Sequence, residues 1–273
     1  MIKHLGHKSG KHLIFGGVYS NYQALLALAE VAKKNNIAPE NIISTGDIVG
    51  YCAQPEECVQ HIKEWGIHAI LGNVEIQLKD GEEDCGCSFI PGSKCDGYSK
   101  EWFPYAQIHT SENSKNWFNT LPHHLHFSFG GKEVLVVHGS FHDTSEFIFK
   151  STDWNIKQQN FNNTEADVIL SGHCGLPFAD IQNQKMWLNA GVIGMPANNG
   201  TPQVWYLIID YNEGEFSYNF HELSYDYETC HKLMKKHNLP EAYQKTILTG
   251  IWDNCEILPE RETALQGMPI EDL

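Results

Sequence analysis

Long hydrophobic runs are missing from this chain. Its apolar stretches, such as EVLVV and VWYLII, have the length of a strand. A membrane span needs ~20 apolar residues, so no membrane partner is expected. The polar opening segment MIKHLGHKSGKH has no apolar core of its own. No signal peptide is therefore expected, and the expected location is the cytoplasm. Positive charge is also scarce: 19 Lys and Arg face 34 Asp and Glu, a formal net charge of -15. That balance argues against nucleic acid as a bulk partner, which would need a basic surface. A small phosphorylated substrate stays admissible, because a bound metal can reverse the local field. No pattern specifies an oligomeric state.

A disulfide framework is not expected either. Eight cysteines are unevenly spaced, with Cys85, Cys87 and Cys95 clustered and Cys230 and Cys255 isolated. In a cytosolic chain that spacing does not read as a set of bridges. The histidines are numerous but mostly scattered, and a lone histidine is usually a surface or satisfied core residue.

What is present is an alternation of strands and helices. HLIF enters a Gly-Gly turn at Gly16 and Gly17, and Asn21 can cap a helix running to about Lys34. NIIS is a buried strand ending at Gly46-Asp47. Pro55 starts a helix through Val59, Ile62 and Trp65, with Cys58 on its apolar face, and IHAILGN is a third strand ending at Gly72-Asn73. This order implies βαβ units, an α/β class and a mainly parallel sheet. Residues 78–99, rich in Gly and Cys, read as a long loop of functional or metal-stapled character. Short helices are expected at about 99–106 and 111–119, then a hairpin turning at Gly130-Gly131. Further strands follow, and helices at about 225–236 and 241–249 close the chain. The expected organisation is one domain over 1–273, with a core at about 12–223 and a helical C-terminal appendage at about 225–273.

Four strands deliver polar groups directly after their apolar run: Asp47, Asn73, His138 and His173, each beside a glycine. Ligands in open α/β sheets gather at the carboxyl ends of strands. One carboxylate, one amide oxygen and two imidazoles suit a divalent metal such as Zn, Mn or Fe. Any one of the four alone would read as a turn or capping residue; the set of four points to a site.

At this point the sequence resembles the calcineurin-like metallophosphoesterase family, whose motifs run D-x-H, GD, GN-H-D/E, a strand-end His, and G-H-x-H. GDIVG (residues 46–50), GNVE (72–75), VHGS (137–140) and GHCG (172–175) stand in that order, and NAGVIGMP (189–196) is similar to a later family segment. The resemblance implies a four-layer α/β/β/α sandwich with the site at the strand ends. It also implies two metals, one held by Asp47, Asn73, His138 and His173. For the other, only the shared Asp47 is retained: Gly17 and Tyr19 stand where the family has the Asp and His of D-x-H, and Gly175 stands where it has the last His. Val74 replaces the family's His near the leaving group, where proton transfer is typically worth ~10²–10⁴-fold.

Cysteine could rebuild the missing position. Cys85, Cys87 and Cys95 are candidate thiolate ligands for Zn or Fe, as are Cys52 and Cys174, and Tyr19 is a candidate phenolate for a ferric ion. The competing readings are a structural zinc loop of Cys85, Cys87 and Cys95, and plain packing for Cys52, Cys174, Cys58 and Tyr19. The expected function is phosphate ester hydrolysis with an altered metal centre, holding at least one Zn, Mn or Fe ion and a second if cysteine supplies ligands. The alternatives are a catalytically impaired metal- or phospho-ligand-binding protein on the same fold, and an iron-thiolate enzyme of changed chemistry.

Overall fold

Leu13, Ile14 and Phe15 are consecutive and all fully buried, yet they belong to two cores: Leu13 and Phe15 pack on one side of their strand and Ile14 on the other. Successive side chains of a strand point to opposite faces, so a strand apolar at every position is covered on both. The computed structural model, which describes residues 1–212, 214–271 and 273, shows what covers them.

The strands, in chain order, are β1 (Ile2–Lys8), β2 (His12–Phe15), β3 (Ile42–Ser44), β4 (His68–Ala69), β5 (His124–Phe129), β6 (Lys132–Val136), β7 (Val168–Ser171), β8 (Pro177–Gln182), β9 (Lys185–Ala190), β10 (Val204–Asn212) and β11 (Glu215–Leu223). They form two sheets among the described residues, ordered β1-β5-β6-β7-β9-β8 and β11-β10-β2-β3-β4. Strands β2, β3 and β4 run parallel, as do β6, β7 and β9, while antiparallel neighbours flank each set.

The sheets face each other through one apolar layer. Ile14, Ile43, Ile70, Leu207 and Ile209 from one side meet Phe127, Val134, Val136, Leu170 and Leu188 from the other. Helices α1 (Tyr22–Lys34), α2 (Pro55–Trp65) and α4 (Lys94–His109) cover the outer face of the β2-containing sheet with Leu25, Leu28, Ile62, Trp102 and Phe103. The outer face of the other sheet, with Leu135, Ile169 and Trp187, is covered by Phe161 of α6 (Trp154–Asn162) and by Phe149 and Leu258. The result is the α/β/β/α layering that the family resemblance implies.

Two features differ from the sequence pattern. The polar opening segment, to which the sequence pattern assigns no element, is strand β1, paired in parallel with β5 and largely exposed. An edge strand needs backbone partners more than apolar faces, so its composition concealed it. Residues 78–99 are loop only in their middle. Helix α3 (Asn73–Asp80) runs in from one side and ends at left-handed Gly81, and α4 starts at Lys94 behind Ser93, whose side chain accepts from the Asp96 N–H. The C-terminal helices pack against the body of the chain. Cys230 and Met234 of α7 (Tyr227–Lys236) and Ile247 of α8 (Glu241–Thr249) pack in the helical core of one sheet. Trp252, Cys255 and Leu258 then join the core outside the other. The tail thus crosses the seam between the sheets and ends in α9 (Glu260–Ala264). Among the described residues, no helix is long and apolar enough to cross a membrane.

The expected hairpin is present between β5 and β6, with Gly130 and Gly131 at φ 58° and 73°. Two consecutive positive φ angles are what a type I′ turn demands.

Candidate metal centre

The parallel strands stop at the seam, and their following residues turn toward one point. Asp47 follows β3, Asn73 opens α3 after β4, His138 follows β6 and His173 follows β7. Both sheets therefore contribute. The turns are tight: Asp47 and His173 adopt φ 56° and 62°, in the left-handed region that side chains with a Cβ seldom occupy. Such conformations persist where surrounding structure holds them, often at functional sites. Gly46 has no room for a side chain; a Cβ there would meet the Gly72 nitrogen at 2.6 Å and His138 Nδ1 at 2.9 Å.

All four side chains are buried, with 1–6% of their surface exposed. Their acceptor atoms converge. His138 Nε2 lies 3.1 Å from Asn73 Oδ1, 3.1 Å from His173 Nδ1 and 3.2 Å from Asp47 Oδ2. Each side chain is locked by its far end. His138 Nδ1 donates to the Thr45 carbonyl at 2.6 Å, and His173 Nε2 donates to the Ser145 carbonyl at 3.1 Å. Asn73 Nδ2 donates to the Cys85 carbonyl at 2.8 Å and to Cys87 Sγ at 3.2 Å, and Asp47 Oδ1 accepts from the Val74 N–H at 3.3 Å. These outer bonds fix both imidazole tautomers and the amide orientation so that lone pairs face inward, as outer partners do in metal sites.

A single proton on His138 cannot satisfy three acceptors at once, whereas a cation can. Among the described residues, Asp47, His138 and His173 are the one group of three or more His, Cys, Asp or Glu ligand atoms within 4.8 Å of each other. The donor set fits a borderline divalent ion.

Electrostatics follow the same geometry. Burial disfavours a charged His138, but the Asp47 carboxylate and the Thr45 carbonyl outweigh it and raise its pKa above the ordinary value. Burial likewise opposes the Asp47 charge, and His138 overcomes it, lowering Asp47. His173 goes the other way: burial first and then His138 push it down to about 3, which keeps it neutral.

Glu75 was part of the GNVE motif, but its role was not legible in the sequence. Fully buried, it accepts from the backbone N–H groups of Asp47 (2.8 Å), Gly72 (3.0 Å) and Val49 (3.1 Å). It therefore ties the loop carrying Asp47 to the loop carrying Asn73. Burial and then the nearby Asp47 charge lift its pKa to about 7.

Beside the cluster, aromatic rings occupy the space in front of two glycines. A Cβ on Gly17 would come within 2.4 Å of Cε1 and 2.5 Å of Cζ of the Tyr19 ring. Gly50 and Gly194 also make room for Tyr19, since Cβ atoms there would approach it to 2.9 Å and 2.6 Å. Opposite, the Trp252 ring lies 3.3 Å from where a Gly175 Cβ would be, and its Nε1 donates to the Pro196 carbonyl at 2.8 Å. Burial, followed by the Asp47 charge, holds the Tyr19 pKa well above its usual value and keeps it a phenol. Nothing in the local sequence around Gly175 announces Trp252, which arrives from the tail.

The cysteines divide. Cys87 lines the pocket next to Asn73; its contact with Cys85 and its burial push its pKa well up, while the same contact lowers that of Cys85. Cys95 is also at the pocket, but its thiol donates to Asn254 Oδ1 at 3.4 Å, and burial pushes it up to about 11. Cys174 lines the pocket and packs in the outer core, donating to the Leu176 carbonyl at 3.6 Å; burial pushes it up to about 12. Cys52 lies within the helix-side core with Cys58 and Cys230.

Comparison with known proteins agrees with the motif order. The calcineurin-like phosphoesterase superfamily domain matches residues 5–214. The uncharacterized protein MJ0912 of Methanocaldococcus jannaschii is 24% identical over 256 residues, covering 87% of this chain and 97% of its own. Hypothetical protein PH1004 from Pyrococcus horikoshii superposes with a TM-score of 0.71 at 18% identity, over 92% of this chain and 99% of that one. A metallophosphoesterase from Sphaerobacter thermophilus superposes with a TM-score of 0.65 at 22% identity, over 89% and 100%. The chain belongs to the calcineurin-like phosphoesterase superfamily.

Proposed function

We propose that this calcineurin-like phosphoesterase hydrolyses a small phosphate ester with one metal ion, held by Asp47, Asn73, His138 and His173. The second metal position of the family pattern is filled by the rings of Tyr19 and Trp252. The observation that carries this reading is the convergence of three acceptors on His138 Nε2, each held inward by a bond at its far end.

A divalent ion at that point supplies Lewis-acid polarisation of a phosphoryl oxygen and acidifies a water. Hydrolysis joins the water oxygen to phosphorus, breaks one P–O ester bond and passes a water proton to the departing alcohol. The chain's residues do the rest. Asn73 presents its amide oxygen in one orientation because Cys85 and Cys87 take its donors. Tyr19, a phenol at the pocket wall beside Asp47 and His173, can donate a hydrogen bond to a phosphoryl oxygen. A cytoplasmic setting, which would keep the thiols reduced, belongs to the same proposal.

One observation favours a second reading, a protein that binds a phosphorylated ligand without turning it over. Val74 stands at the family's leaving-group His, is 2% exposed and cannot move a proton. The test is elemental analysis of the purified protein, followed by turnover of a phosphomonoester and a phosphodiester panel with Mn, Zn and Fe. Turnover lost in His138→Ala supports the enzyme; metal uptake with no turnover across the panel supports the binding protein.

A further inference from the structure

The pocket beside the ligands Asp47 and His173 is lined by six aromatic residues, Tyr19, Tyr51, Phe89, Phe147, Tyr243 and Trp252, and by no Lys or Arg. Its carboxylates are Asp47 and Asp253. Asp253 is engaged, accepting from the Tyr98 hydroxyl at 2.8 Å and from Lys94 Nζ at 3.1 Å. The chain's one arginine, Arg261, lines a different cavity.

This composition limits the charge a ligand can bring. A divalent ion with the Asp47 carboxylate and three neutral ligands leaves one positive charge. Glu75, behind Asp47, can only reduce it. A phosphomonoester carries about -1.5 to -2 at neutral pH, because its second pKa is about 6. A phosphodiester has no second proton to lose and carries a single charge. With no lysine or arginine lining the pocket, and Lys94 already paired with Asp253, the second charge of a monoester would meet no free side-chain cation, which is costly away from water. The diester brings one negative charge fewer to the same surroundings.

Ring geometry indicates what the ester arms look like. Phe147 stacks on the ligand His173 at 4.4 Å and 25°, and Phe89 stacks on Phe147 at 6.4 Å and 23°. A ladder of near-parallel rings thus leads outward from the metal ligands. Offset stacking on such rings rewards a flat partner. We infer that the pocket takes a mono-anionic phosphodiester with at least one flat, apolar ester arm lying along Phe147 and Phe89. This inference rests on the metal-site reading above.

The test is binding, read by calorimetry on metal-loaded protein at about pH 8, where a monoester is a dianion. The probes are diphenyl phosphate, dimethyl phosphate and phenyl phosphate. Diphenyl phosphate should bind about tenfold or more tighter than either of the others. Phe89→Ala, a change in a half-buried loop residue, should remove most of its advantage over dimethyl phosphate and leave the metal content unchanged. Phenyl phosphate binding as tightly as diphenyl phosphate overturns the charge argument. Dimethyl phosphate matching diphenyl phosphate, or an advantage unmoved by Phe89→Ala, overturns the ring argument, and no binding of any probe overturns both. A protein that takes up no metal on its four ligands instead overturns the reading beneath them.

Discussion

Tyr19 lies with its ring over Gly17, so close that a Cβ at Gly17 would meet ring carbon Cε1 at 2.4 Å. The two residues form one exchange: an acidic side chain at 17 and this tyrosine placement exclude each other. Gly17→Asp alone should therefore overpack the turn and cost about 1–3 kcal/mol, seen as a lowered melting temperature. Gly17→Asp combined with Tyr19→His removes the ring and restores two of the absent ligands. That double variant should recover stability relative to Gly17→Asp and bind more metal per chain than the native protein.

Metal uptake should depend on pH through His138. Asp47 raises the pKa of His138 against its burial, so in the metal-free protein a proton competes for Nε2. Binding a cation releases that proton. Apparent affinity should then fall as pH drops below the raised His138 pKa, by about tenfold per pH unit for one proton displaced. Titrations at several pH values in two buffers of different ionisation enthalpy check both the slope and the released proton.

Glu75 accepts three buried N–H groups with two oxygens. Glu75→Ala strands all three, and each buried unsatisfied donor costs about 1–3 kcal/mol. A loss of at least about 3 kcal/mol is expected in urea unfolding. Glu75→Gln keeps one acceptor oxygen but turns an amide NH₂ toward one of the donors, so its loss should be smaller.

Much of this site could be read directly from the sequence because it is local: glycine-flanked polar residues at the ends of apolar runs place Asp47, Asn73, His138 and His173. Other parts could not. Asn73 was read as a strand end, but Gly72 and Glu75 cap a helix there, a signal hidden by the familiar motif around it. Strand β1 lacks apolar faces because it lies at an edge. Trp252 meets Gly175 only because the tail crosses the seam between the sheets, a contact spanning far more chain than any local pattern encodes.

Acid should weaken the fold through two histidines away from the site. Burial, then Lys8, lowers His68 to about 4, and burial, then His123, lowers His124 to about 4. Between the ordinary value of 6.5 and about 4, the unfolded chain binds protons that the folded chain refuses. Stability should fall as pH drops through that window and flatten below it as far as these two groups are concerned. Replacing both with Gln should shallow the slope, measured by urea midpoints from pH 7 to pH 4.

The number and position of bound metal ions test the account most directly. A crystal of metal-loaded protein, with anomalous maps collected above and below the metal edge, should show one ion per chain, ligated by Asp47, Asn73, His138 and His173, with Tyr19 still over Gly17. A second ion in front of Gly17 and Gly175, or one held by Cys85, Cys87 and Cys95, would contradict it.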